Sequence, residues 1–249
     1  MRRKFDSMLF ENFARQRAIA ADERPECLLK DLIVATYDDG STMSDNEIRD
    51  AIVTVLAAGH DTTALALAWA LELILTHPDV LEQLEAELDE IVGASLPRIE
   101  QIPRLKYLDA VVRESLRVRN VIPFIVRVLK SDFSVGGITY PSNIVLCPSI
   151  HLLHMREDIY PEPYRFHPDR FLQRKFAAHE WVPFGGGNRA CLGQTFAIYE
   201  MKVVLATLFS TLRMERKVGS ISRPVRRGIS IGPSDGTQLR VVERRNIKL

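Results

Sequence analysis

The ten residues Phe184-Gly185-Gly186-Gly187-Asn188-Arg189-Ala190-Cys191-Leu192-Gly193 place a single cysteine where a glycine-rich loop gives way to an apolar segment. If that segment is a helix, its first backbone amides point at the sulfur and favour thiolate over thiol. Glycines let the main chain approach a flat ligand and hydrogen-bond the sulfur. These are the needs of a metal-bound thiolate. A structural zinc or an iron–sulfur cluster takes several such ligands, whereas one thiolate suits the single axial position on a haem iron. A bare Gly-x-Cys is more often a buried structural cysteine in a tight turn. The full ten-residue pattern weighs for the ligand.

Other residues are spaced for chemistry too. Ala58-Gly59-His60-Asp61-Thr62-Thr63 sets an acid and two hydroxyls in the middle of an apolar stretch, which is costly unless they are solvated or used. Use is the simpler account: Gly59 permits close approach of a ligand or a local widening of the helix, Thr62 can donate a hydrogen bond, and Asp61 carries an ionisable carboxyl. His60 reads as a packing or pocket residue. Glu114 and Arg117, three apart, share a helix face and can pair, most simply as an exposed ion pair. His151 and His154 have the spacing of a metal pair but no third ligand nearby, so they are read as ordinary. Cys27 and Cys147 belong to no motif and are expected to be inert.

The elements that must position these groups are legible in outline. Ser44-Asp45-Asn46-Glu47 is a capping box ahead of an apolar run without proline until Pro78, which predicts a helix over about 45–76, buried on most sides. Pro78 opens a second helix, Asp79 to Val92, with Val80, Leu81, Leu84, Leu88 and Ile91 as its stripe and Gly93 as its stop. A third spans about 104–118 with Leu105, Leu108, Val111, Val112, Ser115 and Leu116 on one face. Short β-branched runs from Ile122 to Ser149 around Gly136-Gly137 predict a small antiparallel sheet. The Pro-rich, aromatic stretch from Ile159 to Trp181 reads as ordered coil. An apolar helix from about Leu192 to Leu212 follows the glycine loop, and Gly228 to Glu243 predicts a closing hairpin turning at Pro233-Ser234-Asp235-Gly236. Arg2 to Ala20 suggests one more helix. With no repeat or linker, residues 1–249 are expected to form a single, mostly helical domain.

Composition narrows the class. Lys plus Arg number 33 against 32 Asp plus Glu, a net charge of +1, which excludes a nucleic-acid binder on charge grounds. At 46% hydrophobic and 26% charged the chain is ordinary globular protein. Three dispersed cysteines argue for a reducing compartment. The basic N-terminus has no apolar run behind it, and Asp61 and Glu72 interrupt the apolar region from Ala51 to Leu75, so neither a signal peptide nor a membrane span is expected. The expected location is cytoplasmic; an N-terminal anchor would belong to a longer form.

The cysteine loop resembles the haem-binding signature of the cytochrome P-450 monooxygenases, Phe-x-x-Gly-x-Arg-x-Cys-x-Gly, at every specified position. That resemblance implies Cys191 as the axial thiolate and metal ligand and Phe184 packed beside the haem near the sulfur. It places Arg189 on a haem propionate and gives Gly185 and Gly193 to the cofactor-binding loop. Gly59 to Thr63 resembles the oxygen-activation motif of the family's distal helix, with Asp61 and Thr62 as catalytic residues. Glu114 and Arg117 match the family's Glu-x-x-Arg, and Phe166-His167-Pro168-Asp169-Arg170-Phe171 matches its Pro-rich coil, with Asp169 where Glu is commoner. Glu114, Arg117 and Arg170 would then form a structural clamp behind the haem, Arg117 buried and Arg113 left on the surface. Arg127 fits a second propionate ligand, and Val121, Ile122, Pro123, Phe124 and Ile125 a pocket wall.

The implied fold is mainly α with small antiparallel β-sheets, the cytochrome P-450 fold incomplete at its N-terminal side, because family members run well over a hundred residues longer there. The implied activity is hydroxylation of a small apolar organic substrate with O2 on haem b (iron protoporphyrin IX). No flavin or nicotinamide motif is present, so electrons would come from a separate ferredoxin or flavoprotein reductase. It would dock behind Cys191 on Arg104, Lys106, Arg113 and Arg174. The alternative is a truncated, non-catalytic or unstable haem-binding remnant.

Overall fold

The structure is a computed structural model that describes residues 2–20, 22–217 and 222–245. Its contacts gather into two compact units, one up to Asp61 and one from Thr62 onward. In the first unit, α1 (Arg2–Ala18) and α2 (Leu28–Val34) precede the opening turns of α3 (Asp45–Thr76). Phe13 and Ile48 are its fully buried apolar side chains, and Arg17 pairs with Asp45 at 2.5 Å. The capping box forms as expected: the Glu47 carboxylate accepts from the Ser44 N–H at 2.8 Å, and the Ser44 hydroxyl accepts from the Glu47 N–H at 3.3 Å.

The second unit holds the core. Along α3, Trp69, Ala70, Leu73 and Ile74 are buried against residues of three further helices, α4 (Pro78–Ile91), α5 (Lys106–Val118) and, later in the chain, α8 (Gln194–Thr211). Each fully buried Leu, Ile or Phe there contributes roughly 1.5–3 kcal/mol. The expectation that α3 is buried on most sides is corrected. Residues 53–61 are exposed, because the first unit supplies too few apolar side chains to cover a helix so apolar on every face. Among the described residues α3 is also long and apolar enough to cross a membrane, Asp61 and Glu72 notwithstanding. Its second half instead lines the core.

α5 is the most deeply buried helix and has no side-chain cap of its own. The carboxylate of Glu87 on α4 serves instead, accepting from the N–H groups of Tyr107 at 2.7 Å and Leu108 at 2.9 Å. This satisfies two amides that a helix start leaves without partners and sets a negative charge at the positive end of the dipole.

The small sheets are two-stranded ladders. β1 (Arg127–Val128) pairs antiparallel with β4 (Val145–Leu146), Arg127 opposite Leu146. Inside them β2 (Phe133–Val135) and β3 (Ile138–Tyr140) form a hairpin through Gly136 and Gly137, whose φ values of +59° and +77° suit a tight turn only glycine enters freely. α6 (Ile150–His154) follows, and the Pro-rich coil carries only the single turn α7 (Arg170–Gln173). The predicted hairpin from Gly228 to Glu243 does not form. The tight turn is at Gly228 (φ +64°) and Ile229, joining β6 (Pro224–Arg227) to β7 (Ser230–Pro233). After Pro233-Ser234-Asp235-Gly236, β8 (Leu239–Arg244) pairs with β5 (Leu212–Arg216), the strand leaving α8. Arg216 explains the detour: it holds Glu72 at 3.1 Å and Asp235 at 3.2 Å, tying that segment to α3.

Candidate functional site

The cysteine loop is built by its own main chain. The Gly185 N–H donates to the Val182 carbonyl, the Ala190 N–H to Gly187, and the Cys191 N–H to Phe184, each at 3.0 Å. Gly185 and Gly187 take φ of +74° and +65°, where a side chain would be strained. Ile125, on the segment after α5, lies so close to Gly185 that an added Cβ would sit 3.5 Å from its Cδ1. Cys191 is exposed and Gly193 forms the N-cap of α8. A Cβ at Gly193 would stand 3.8 Å from the cysteine sulfur. Leu192, next in sequence, and Phe196, in the first turn of α8, present large apolar side chains to solvent. Phe184 packs edge-on to Trp181, 6.2 Å between ring centres. Cys27 and Cys147 are exposed as well; Cys27 precedes only the seven residues of α2, and Cys147 follows a strand.

Arg189, in the loop, and Arg127, in β1, are both exposed. Neither is in an ion pair among the described residues; Arg127 Nη1 donates to the Val126 carbonyl at 2.8 Å. On α3, Asp61 is exposed and Thr62 half-buried. The helix runs through Gly59 without a break, so the local widening is absent. A Cβ on Gly59 would meet nothing within 4 Å, so the protein itself does not require a glycine there. His60 is exposed.

Glu114, Arg117 and Arg170 come together in one buried cluster. Arg117 grips the Glu114 carboxylate with two parallel bonds, Nε to Oε2 at 2.7 Å and Nη2 to Oε1 at 2.8 Å, both side chains wholly buried. Arg170 Nε adds a bond to Oε1 at 3.0 Å, and so does the His167 N–H at 3.0 Å. Arg117 also donates to three carbonyls, that of His154 at the end of α6 at 2.8 Å and those of Pro163 and Arg165 in the coil at 2.7 Å and 3.2 Å. Its guanidinium lies over the Tyr160 ring, 4.8 Å from the centre. A helix ion pair of the exposed kind would order none of this. Here one buried cation organises the fold of an irregular segment that has few ladders of its own.

Two basic residues differ from expectation. Arg113 is not a free surface cation: it pairs with Asp109 at 2.5 Å and lies 5.0 Å from the centre of the Trp181 ring, whose Nε1 donates to the Arg113 carbonyl. Burial raises the Asp109 carboxyl, but Arg113 and Lys202 outweigh that and hold it below the usual carboxylate range. Arg174 is paired with Glu180. Of the four residues considered for docking, Arg104 and Lys106 are exposed and not in an ion pair among the described residues.

His154 is the residue that sequence reasoning missed. His151 is exposed, whereas His154 is completely buried and its ring meets the Val182 N–H and the Asn120 amide. Burial first, then the neighbouring Arg117 charge, press its pKa from 6.5 down to about 3. A His-x-x-His spacing gave no hint of this, because a five-residue helix carries no periodicity from which to read a buried face.

The model of the cytochrome P450 family matches residues 1–238. Cytochrome P450 135B1 of Mycobacterium tuberculosis is 37% identical over 242 residues, 97% of this chain and 50% of its own length. Cytochrome P450 138 of the same organism is 36% identical, over 98% of this chain and 52% of its own length. The chain thus spans about half the length of the curated relatives it matches. Among solved structures, the cytochrome P450 CYP102L1 superposes with a TM-score of 0.87 at 30% identity, over 97% of this chain and 56% of its own. Retinoic acid-bound cyanobacterial CYP120A1 gives 0.85 at 28%, over 96% and 55%. The exposed thiol at the head of α8, the buried Glu–Arg–Arg cluster and the family match over nearly the whole sequence agree: this chain belongs to the cytochrome P450 family.

Proposed function

We propose that the chain is the haem-thiolate portion of a monooxygenase, with Cys191 as the residue whose sulfur would hold the iron of haem b. The observation that carries this is Cys191 itself: exposed, at the N-terminus of an eighteen-residue helix, its amide pinned to Phe184 in a glycine turn. The surroundings fit a haem by their donor set. A thiol, the apolar side chains of Leu192 and Phe196, and two exposed arginines, Arg127 and Arg189, are what an iron, a flat macrocycle and two propionates require. Bound haem would supply the chemistry that puts one atom of O2 into a substrate C–H bond.

The protein's share is to bind, orient and deliver protons. The hydrogen bond from the Cys191 N–H to the Phe184 carbonyl fixes the main chain that carries the sulfur. Arg127 and Arg189 would take the propionates, each capable of a bidentate grip. Asp61 would exchange protons with solvent at its carboxylate, and Thr62 Oγ1 would offer the hydrogen bond along which they are delivered. Ile122, Phe124 and Ile125 would offer a small organic substrate an apolar wall. Electrons would come from a ferredoxin or flavoprotein reductase docked over Arg104 and Lys106.

Titration with haem tests this. One haem should bind per chain, and the reduced carbonyl complex should show a thiolate-type spectrum, retained in Cys27→Ala and Cys147→Ala and lost in Cys191→Ala. If either of the first two abolished it while Cys191→Ala did not, the ligand assignment would fall. A haem-transfer measurement separates the alternative, a haem-binding chain without turnover: in that case haem should pass readily to a scavenging apoprotein and little product should form per electron. Slow transfer with efficient turnover would exclude it.

A further inference from the structure

Three hydrogen bonds run in series toward Cys191, and they begin at His154. The ring Nε2 of His154 accepts from the Val182 N–H at 3.0 Å. The Val182 carbonyl accepts from the Gly185 N–H at 3.0 Å, closing the turn that contains Phe184, and the Phe184 carbonyl accepts from the Cys191 N–H at 3.0 Å. A backbone N–H can only donate, so Nε2 must be the unprotonated nitrogen. The proton then sits on Nδ1, 2.9 Å from Asn120 Nδ2; both groups are donors, so that contact is no hydrogen bond of the neutral ring, and the Val182 N–H is what fixes the tautomer.

The same residue is anchored from the other side. Its carbonyl accepts from Arg117 Nη1 at 2.8 Å, and its ring meets Tyr160 edge-on, 6.0 Å between centres. α6, which ends at His154, is fixed at its start as well: the Ser149 hydroxyl caps it, and the His151 N–H donates to the Pro123 carbonyl. Main chain and side chain of one buried residue thus bind two different things, the arginine of the ion cluster and the turn before the cysteine.

We propose that His154 is a positioning residue for the Cys191 loop, its Nε2 holding the Val182 amide so that the turn over Phe184 presents Cys191 in one fixed place. This serves the ligand role proposed above for Cys191 and rests on that reading for its purpose. The contact with the reacting group is indirect, through Val182 and Phe184. The ring is fit for the task because it is wholly buried beside a guanidinium, which keeps Nε2 free to accept.

Three substitutions separate positioning from mere packing. In His154→Gln the side-chain oxygen reaches the place of Nε2 and can accept from Val182. In His154→Asn the oxygen reaches only the place of Nδ1, and His154→Leu has no acceptor. Amide hydrogen exchange on the haem-free chain gives the readout, with Leu108 and Phe209 amides as the measure of global opening. We expect exchange at Val182, Gly185 and Cys191 to rise about tenfold relative to those core amides in His154→Asn and His154→Leu, and to return toward wild type in His154→Gln. After loading with haem, the fraction of carbonyl complex with the thiolate-type spectrum should follow the same order. If Asn and Gln behave alike, if loop and core amides rise together, or if none changes, the proposal is overturned. Should His154→Leu fail to fold, the Asn and Gln pair decides. Exchange is read without haem, so its failure would leave the ligand role of Cys191 standing, and failure of Cys191 to bind iron would not alter the exchange result.

Discussion

Arg117→Leu removes the centre of the buried cluster while nearly conserving its apolar stem. Five hydrogen bonds go with the guanidinium: two to Glu114 and one each to the carbonyls of His154, Pro163 and Arg165. Glu114 keeps Arg170 Nε and the His167 N–H, so its carboxylate is not wholly abandoned. That places the loss of the pair near the lower end of the roughly 3–5 kcal/mol for breaking a buried ion pair. Orphaned buried carbonyls add about 1 kcal/mol each where water does not replace the donor. A total of about 4 kcal/mol or more is a large part of a domain stability of roughly 5–15 kcal/mol. Urea unfolding at pH 7 followed by tryptophan fluorescence is the assay, since Trp69 and Trp181 both lie in the unit from Thr62 onward. Arg113 is a poor control because it has partners of its own. Arg165→Leu is the better one: its exposed side chain meets Glu162 at 3.3 Å, and its carbonyl is untouched by the change. A surface change of that kind costs within about 0.5 kcal/mol. Equal destabilisation by Arg117→Leu and Arg165→Leu would refute the clamp.

His154 makes acid unfolding steeper. Its pKa is about 3 folded against 6.5 for the ordinary imidazole, so above pH 6.5 the group is neutral in both states and contributes nothing to pH dependence. As pH falls from 6.5 toward 3 only the unfolded chain takes up the proton, and by pH 5 this costs roughly 2 kcal/mol. Between pH 7 and 5, His154→Gln should lose less stability than wild type by about that amount, and parallel curves would contradict the burial argument. Glu87→Gln should lower stability by about 1–2 kcal/mol, because the carboxylate across the α5 start becomes a neutral acceptor; an unchanged urea midpoint would count against the cap. In a fusion that adds the half of the relatives this chain does not span, Thr62→Ala should keep haem and substrate binding while diverting electrons to hydrogen peroxide. Unchanged coupling of oxygen uptake to product would remove Thr62 from proton delivery.

Much of this was legible because local chemistry and long-range structure point the same way. The capping box at Ser44 and the first-turn proline at Pro78 mark helix starts wherever the segment sits. The stripe from Leu105 to Leu116 is buried because α5 is covered on nearly every side. In the ten-residue cysteine pattern Gly185 and Gly187 answer a local demand, the positive φ that a side chain would strain. The C-terminal ladders were misread for the opposite reason. A Pro-Ser-Asp-Gly turn says that the chain bends, but pairing is decided by what lies across the bend, here the strand leaving α8. Likewise, apolar residues 53–59 predict burial only if something covers them. His154 and Glu87 were out of reach of pattern reading, since each takes its role from partners about twenty or more residues away.

The central claim is that Cys191 supplies the sulfur to a haem iron, and X-ray absorption at the iron edge reads that bond directly. The haem-loaded chain should show one sulfur neighbour on the iron, present also in Cys27→Ser and Cys147→Ser and replaced by a lighter atom in Cys191→Ser. An iron without sulfur in the unaltered chain, or a sulfur neighbour that survives Cys191→Ser, would contradict the account.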